Sequence, residues 1–135
     1  MLTLLILSDV HYAGSAERAR SHDYETRGVP SPLLRRAVRT YRHFVWLRDP
    51  FAHNHRLDWF LSEEPAADFV VANGDFSCDT AFVGVSDDAA CASARECLAK
   101  LREQFEPAFE PVMGDHELGK LSMVGRQGGM RLASW

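Results

Sequence analysis

Cysteine is scarce in this sequence, and its spacing argues against a disulfide framework. The three cysteines, Cys78, Cys91 and Cys97, form an odd set without a Cys-x-x-Cys pair. Disulfide-stapled domains carry even numbers of cysteines at characteristic spacings, and they occur in oxidising compartments. The sequence therefore predicts reduced thiols, and we expect a cytoplasmic location.

A long hydrophobic run is also missing. The apolar opening segment from Met1 to Leu7 is followed by Ser8 and Asp9, well short of the roughly 20 apolar residues that span a bilayer. It has no basic n-region of the kind that a secretory signal carries. We therefore expect no membrane association, and we interpret the segment as a buried strand.

Neither sign of charge dominates. The 19 acidic and 15 basic residues give a formal net charge of −4. This overall charge gives no electrostatic attraction to nucleic acid or to an anionic membrane. Internal repeats and low-complexity tracts are absent too. With 135 residues, 46% of them apolar, a disordered tail is excluded and one soluble domain, or part of one, is expected.

What the sequence does contain is an alternation of strand and helix patterns. Short apolar runs predict strands, and apolar residues at helical spacing predict helices. The strands are expected at 2–8, 68–73 and 109–113, and the helices at 32–48, within 52–64 and at 86–106. The first run is continuous and apolar, which is typical of a strand buried on both faces of a parallel sheet. This order predicts an α/β fold with right-handed parallel crossovers.

Two of the helices have clear apolar faces. The helix at 32–48 follows the capping pair Ser31-Pro32, and we expect its arginines to form a solvated face. Its apolar face comprises Leu34, Val38, Tyr41 and Val45. The helix at 86–106, capped by Ser86, has a longer stripe of Ala90, Ala94, Cys97, Leu98, Leu101 and Phe105.

Acidic residues and histidines follow each predicted strand. The three segments are Asp9-Val10-His11, Gly74-Asp75 and Gly114-Asp115-His116-Glu117. A Gly-Asp-His triplet is expected only about 0.03 times by chance at this length and composition. The carboxyl ends of parallel strands share one edge of the sheet, and ligands bind there.

Carboxylates and imidazoles gathered at one edge favour a bound cation, because they would otherwise repel or lack partners. Asp9 and His11, two residues apart in extended backbone, can ligate one ion. Asp75 can bridge two ions, and Asp115 can complete the second. His116 then lies beside the metals and is free to transfer protons.

Simpler interpretations stay open for several residues. The three segments together can be ordinary polar turns at strand ends. His53 and His55 resemble a metal pair, but positions two apart on a helix do not face each other, so surface histidines are favoured. Asp79 can be an outer ligand or a turn residue.

The ordered motifs resemble those of the metallophosphoesterase superfamily, also called calcineurin-like phosphoesterases. Its series is D-x-H, then G-D, then G-N-H-D/E, each after a strand, and the resemblance spans residues 1–117. It implies a metallophosphoesterase-like αββα sandwich, represented here by an N-terminal βαβαβ portion with parallel strands. It also implies two divalent ions, of Mn, Fe, Zn or Mg, whose bound hydroxide hydrolyses a small-molecule or macromolecular phosphate ester.

The resemblance assigns a role to each motif residue. Asp9 and His11 would hold the first ion, Asp75 would bridge both ions, Asp115 would bind the second, and His116 would be the catalytic histidine. Position 115 carries Asp where the family has Asn. A carboxylate is a good ligand for the same ions, but it adds a negative charge.

The family's later metal ligands are a lone histidine and a His-x-His pair, and no histidine follows His116. We therefore expect residues 1–135 to be the N-terminal portion of a single metallophosphoesterase domain that lacks its C-terminal half. The alternative is a non-catalytic remnant or binding module with an incomplete metal site. The sequence indicates neither the substrate nor the oligomeric state.

Overall fold

Three parallel strands form the centre of the fold. The computed structural model describes residues 1–20, 26, 29, 31–41, 43–44, 51–78 and 88–118, of which residues 115 and 118 are described by their backbone alone. The strands are β1 (Leu4–Ser8), β2 (Phe69–Asn73) and β3 (Phe109–Val112), in the order β1-β2-β3. The prediction of an α/β fold with a parallel sheet is confirmed.

Five helices accompany the sheet in the described part of the chain. They are α1 (Ser15–Arg18), α2 (Pro32–Tyr41), α3 (His55–Ser62), α4 (Asp88–Phe105) and α5 (Asp115–Leu118). The three helices expected from periodicity are all present, although the predicted cap Ser86 and the residues after 44 in the first of them lie outside the described residues. Across the described ranges, no helix combines the length and the apolar composition that a bilayer crossing requires.

The register of the sheet brings the three strand ends together. Ser8 at the end of β1 pairs with Asn73 at the end of β2, and Asn73 pairs with Val112 at the end of β3. The strands run in one direction, so their carboxyl ends meet at one side of the sheet. We call this side the carboxyl edge.

One face of the sheet packs on α3 and α4. Val70 and Ala72 of β2 are buried on this inner face, and the apolar stripe predicted for α4 is buried in full. The core cluster comprises Tyr12, Leu57, Val70, Ala72, Phe76, Cys91, Ala94, Cys97, Leu98, Leu101, Phe105 and Phe109. Each apolar side chain removed from water contributes about 1.5–3 kcal/mol to such a core.

The opposite, outer face of the sheet is not covered by any described residue. Leu4 and Ile6 of β1 are 54% and 63% exposed, and Phe69 and Val112 are about half exposed. The prediction that the first strand is buried on both faces is therefore wrong for the described part of the chain. The physical reason is that α3 and α4 contribute to the same core on the inner face.

Helix α2 lies within the range predicted for it, but its apolar face is not buried by the described residues. It has no buried residue, and Leu34 and Tyr41 on the apolar face are about half exposed. The guanidinium of Arg35 donates to the carbonyl of Val29 at 2.9 and 3.2 Å, and that of Arg39 donates to the Thr26 hydroxyl at 3.0 Å. Arg39 is exposed and Arg35 is half-buried, so the solvated arginine face is present as predicted, and two of its guanidinium groups also bind the preceding segment.

The burial of the Cys97 thiol and the Tyr12 phenol predicts that the stability of the fold decreases in alkaline solution. Burial, and then the nearby Glu117 carboxylate, raise the pKa of Cys97 to about 12. Burial and the hydrogen bond to Glu96 raise the pKa of Tyr12. In the unfolded chain the thiol ionises near pH 8.5, so between about pH 9 and pH 12 the unfolded state binds fewer protons. The protonated Cys97 thiol therefore stabilises the fold fully below about pH 9. This stabilisation is lost as the pH rises from about 9 to 12, by up to about 1.4 kcal/mol per pH unit.

Urea unfolding at pH 8 and pH 10 measures this effect. The free energy of unfolding of the wild-type chain should fall between the two values, and that of Cys97→Ala should fall less. An equally steep fall in the variant would contradict the assignment.

Candidate functional site

The segments that leave β1 and β2 continue side by side past the strands. The amide of His11 donates to the carbonyl of Asp75 at 2.9 Å, and the amide of Tyr12 donates to that of Phe76 at 2.9 Å. Tyr12 and Ser77 form an isolated parallel bridge. These bonds extend the pairing of the two strands into the carboxyl edge, so the residues there are held by the sheet and not by a free loop.

Three non-glycine residues at the carboxyl edge have a left-handed backbone conformation. Asp9, His11 and Asp75 have φ of 54°, 48° and 56°. This region is uncommon for residues with a Cβ, although Asp and His adopt it more readily than most. Such conformations cost of order 1–3 kcal/mol each and cluster at functional sites, where the surroundings hold them in place.

Two glycines allow the segments after β2 and β3 to touch. A Cβ at Gly74, whose φ is +69°, would collide with the backbone of Gly114. A Cβ at Gly114 would collide with the Asp75 carboxylate and would lie 2.6 Å from the Asp75 amide nitrogen. Both positions therefore require glycine, and their contact places Asp75 beside the turn that leads into α5.

His11, Asp75 and His116 converge at this point. Each offers a ligand atom, and the three atoms lie within 4.8 Å of one another. The amide of His116 donates to Oδ1 of Asp75 at 3.2 Å, and the two imidazole rings meet edge to face with centroids 4.7 Å apart. One residue from each of the three motifs therefore contributes to a single cluster.

A buried nitrogen in this cluster lacks a partner. His116 is 9% exposed, and its Nδ1 has no hydrogen-bond partner among the described residues. Buried polar atoms are nearly always satisfied, and an exception calls for an explanation such as a bound ion. His11 differs, because its Nδ1 lies 3.3 Å from the carbonyl of Ser77. A proton on Nδ1 in that contact leaves Nε2 of His11 with a lone pair for a ligand.

Asp9 lies at the outer side of the cluster. Its carboxylate is 64% exposed, and Oδ1 is 3.9 Å from Nε2 of His11, while Oδ2 accepts a hydrogen bond from the Ser8 hydroxyl. Asp115 is the first residue of α5, and the structure describes its backbone but not its side chain. Residue 79, which was considered as an outer ligand, lies outside the described residues. The proposed second ion, which was assigned to Asp75 and Asp115, thus stays a prediction.

Glu117, the last residue of the third motif, holds the segments of the site together, a role that the motif pattern does not predict. Its carboxylate is fully buried and accepts three backbone amides: Phe76 at 2.8 Å on Oε1, and Asp75 at 2.9 Å and Gly114 at 3.0 Å on Oε2. Hydrogen bonds to a charged acceptor are the stronger ones in proteins. The sequence contains a partial signal for this role, since a carboxylate directly after His116 can reach back to a nearby amide such as that of Gly114. It does not indicate that the other two amides come from the segment after β2.

A second anchoring residue lies between two histidines. The side chain of Asn54 accepts from the Ala13 amide at 2.6 Å and donates to the Ala13 carbonyl at 3.0 Å. His53 and His55 are exposed, as expected for surface histidines. The Gly14 amide donates to the Ser93 hydroxyl at 2.9 Å. The segment after His11 is therefore fixed by α4 and by the residue that precedes α3.

The donor set of the cluster fits a divalent transition ion. The His11 imidazole and the Asp75 carboxylate suit Zn, Fe or Mn, while Mg prefers oxygen ligands alone. Ligand atoms about 2.0–2.2 Å from one ion lie at most about 4.4 Å apart, so these two groups need at most a small contraction to share an ion. The unpartnered Nδ1 of His116 beside them gives an independent reason to expect a bound group here.

Comparisons of the chain with family models, with curated proteins and with solved structures find no match. The residues at the carboxyl edge are therefore the basis for assigning a function.

The anchoring role of Asn54 predicts a loss of stability on truncation. Asn54→Ala removes both hydrogen bonds to Ala13, and the free energy of unfolding should fall by about 1–3 kcal/mol. The matched controls are His53→Ala and His55→Ala, which alter exposed neighbours and should change it by less than about 0.5 kcal/mol. Urea unfolding of the three variants checks this. A larger loss in either histidine variant than in Asn54→Ala would be the contrary result.

Proposed function

We propose that this chain carries the metal-binding edge of a metal-dependent phosphoesterase. The observation that carries the proposal is the convergence of His11, Asp75 and His116 at the ends of three parallel strands. A divalent ion held there lowers the pKa of a bound water and offsets the negative charge of a phosphoryl group. The order of the motifs and their place after the strands are those of the metallophosphoesterases, which supports this reaction class over others.

The left-handed backbone at three of the site residues supports a ligand-binding role over a polar turn. Ordinary turns place single Gly, Asn or Asp residues at such positions, whereas Asp9, His11 and Asp75 occupy three of them in one cluster and all carry groups able to ligate a cation. Asp75 is central, because its carboxylate contacts the His116 amide while its backbone carbonyl holds His11. The proposed bridging role of Asp75 between two ions agrees with this position.

His116 is the proposed proton donor. As a water oxygen gives up a proton to solvent and forms its bond to phosphorus, the ester P–O bond breaks, and the departing alkoxide takes a proton from the imidazolium. General acid catalysis of this kind contributes roughly 10²–10⁴ in rate. The bond from the His116 amide to Asp75 holds the imidazole beside the cluster, where a substrate oxygen would meet it.

Asp75 provides the first test. We expect the wild-type chain to bind Mn²⁺ or Zn²⁺ in equilibrium dialysis and Asp75→Ala to lose at least a factor of ten in affinity, because the central carboxylate is removed. Glu110→Ala, which removes an exposed carboxylate of β3, is the control and should bind as the wild type does. Equal affinity of all three proteins would refute the site.

The second test separates catalysis from metal binding. In the full-length enzyme, His116→Gln should retain its metal but lose hydrolysis of phosphate esters, most strongly for esters with basic leaving groups, which need protonation. Metal content and hydrolysis of alkyl and activated aryl esters are measured together. Metal loss in the variant would make His116 a ligand instead, and binding without hydrolysis in the wild type would favour a non-catalytic binding module.

A further inference from the structure

The carboxylate of Glu117 joins the segments that follow β2 and β3. Its Oε2 accepts from the amides of Asp75 and Gly114, and its Oε1 accepts from Phe76. Both oxygens are fully buried. Because two amides come from the segment after β2 and one from the segment after β3, a single side chain fixes the distance between these two segments.

The bonds act directly on the backbone of Asp75. With φ of 56°, this residue is in a conformation that costs free energy. Two adjacent amides, those of Asp75 and Phe76, are held by the two oxygens of one carboxylate. The orientation of the peptide planes on both sides of the Asp75 Cα is therefore constrained, and so is the direction of its side chain.

We infer that Glu117 is a positioning residue that sets the Asp75 carboxylate toward His11 and His116, and thereby tunes the affinity of the cluster for a divalent ion. Its effect on affinity rests on the proposed metal site, while its effect on Asp75 does not. Groups that orient metal ligands from the outer shell typically contribute 10–100-fold to metal affinity.

Glu117→Gln is the informative variant, since it keeps the size of the side chain. An amide group offers one acceptor oxygen and one NH₂ donor, so at least one of the three backbone amides must face a donor. We expect Co²⁺ affinity to fall about 10–100-fold and the visible spectrum of the Co²⁺-loaded chain to change, because the Asp75 oxygen shifts relative to the imidazoles.

A metal-free measurement tests the positioning itself. In ¹H–¹⁵N spectra of the apo chain, the amides of Asp75, Phe76 and Gly114 should move in Glu117→Gln. The amide of His116 is the decisive reporter. It donates to Oδ1 of Asp75, and because residue 116 adjoins the substituted position, the state of that bond is read from the hydrogen-exchange rate of this amide, which should rise when the Asp75 carboxylate moves away.

Two controls separate positioning from loss of stability or of charge. Leu98→Ala truncates a core residue of α4 and should lower stability while leaving Co²⁺ affinity and the His116 amide unchanged. Glu110→Gln removes one exposed negative charge from β3 and should change neither.

The outcomes are distinct. Unchanged Co²⁺ affinity and an unchanged exchange rate of the His116 amide in Glu117→Gln would overturn the inference, as would equal effects in Leu98→Ala. A wild-type chain that binds no Co²⁺ would overturn the proposed function, and a changed His116 amide in apo Glu117→Gln would still support the positioning of Asp75. If Glu117→Gln does not fold, Glu117→Asp replaces it, because its shorter carboxylate cannot reach all three amides.

Discussion

The parallel pairing of β2 with both of its neighbours is the constraint on which the site depends. It sets Ser8, Asn73 and Val112 at one level, so the residues that follow each strand emerge at the same edge. A shift of register by one residue would turn the side chains of a strand to the other face of the sheet. The core contacts of Val70 and Ala72 with the helices therefore also fix where Asp75 begins its turn.

The cluster at this edge is held more tightly than its polar composition would require. Backbone hydrogen bonds link the segments after β1 and β2. Asn54 and Ser93 bind Ala13 and Gly14 of the first of these segments. Glu117 joins the segment after β2 to the segment after β3. These contacts offset the cost of the left-handed conformations at Asp9, His11 and Asp75. Strain maintained in this way is a feature of preorganised sites, in which ligand atoms are placed before the ligand arrives.

The sequence was sufficient to predict the strands, the stripe of α4 and the edge at which the motif residues meet, because these depend on periodicity and on the polarity of parallel sheets. It did not predict that the outer face of β1 is open within the described residues, since a continuous apolar run looks the same whether one face or both are covered. Nor did it identify Asn54 or Glu117. Their partners are backbone groups, most of them in distant segments, and backbone groups leave no mark on the pattern of side chains.

The long sequence separations within the cluster link it to the folding of the chain. The contact between His11 and Ser77 spans 66 residues, and that between Asp75 and His116 spans 41. An unfolded chain does not hold such groups together, so anything that binds the cluster binds the folded state alone. By mass action, a ligand at one hundred times its dissociation constant then adds about 2.7 kcal/mol to the stability of the fold. The carboxyl edge thus makes the conformational stability of the whole chain a function of ligand concentration.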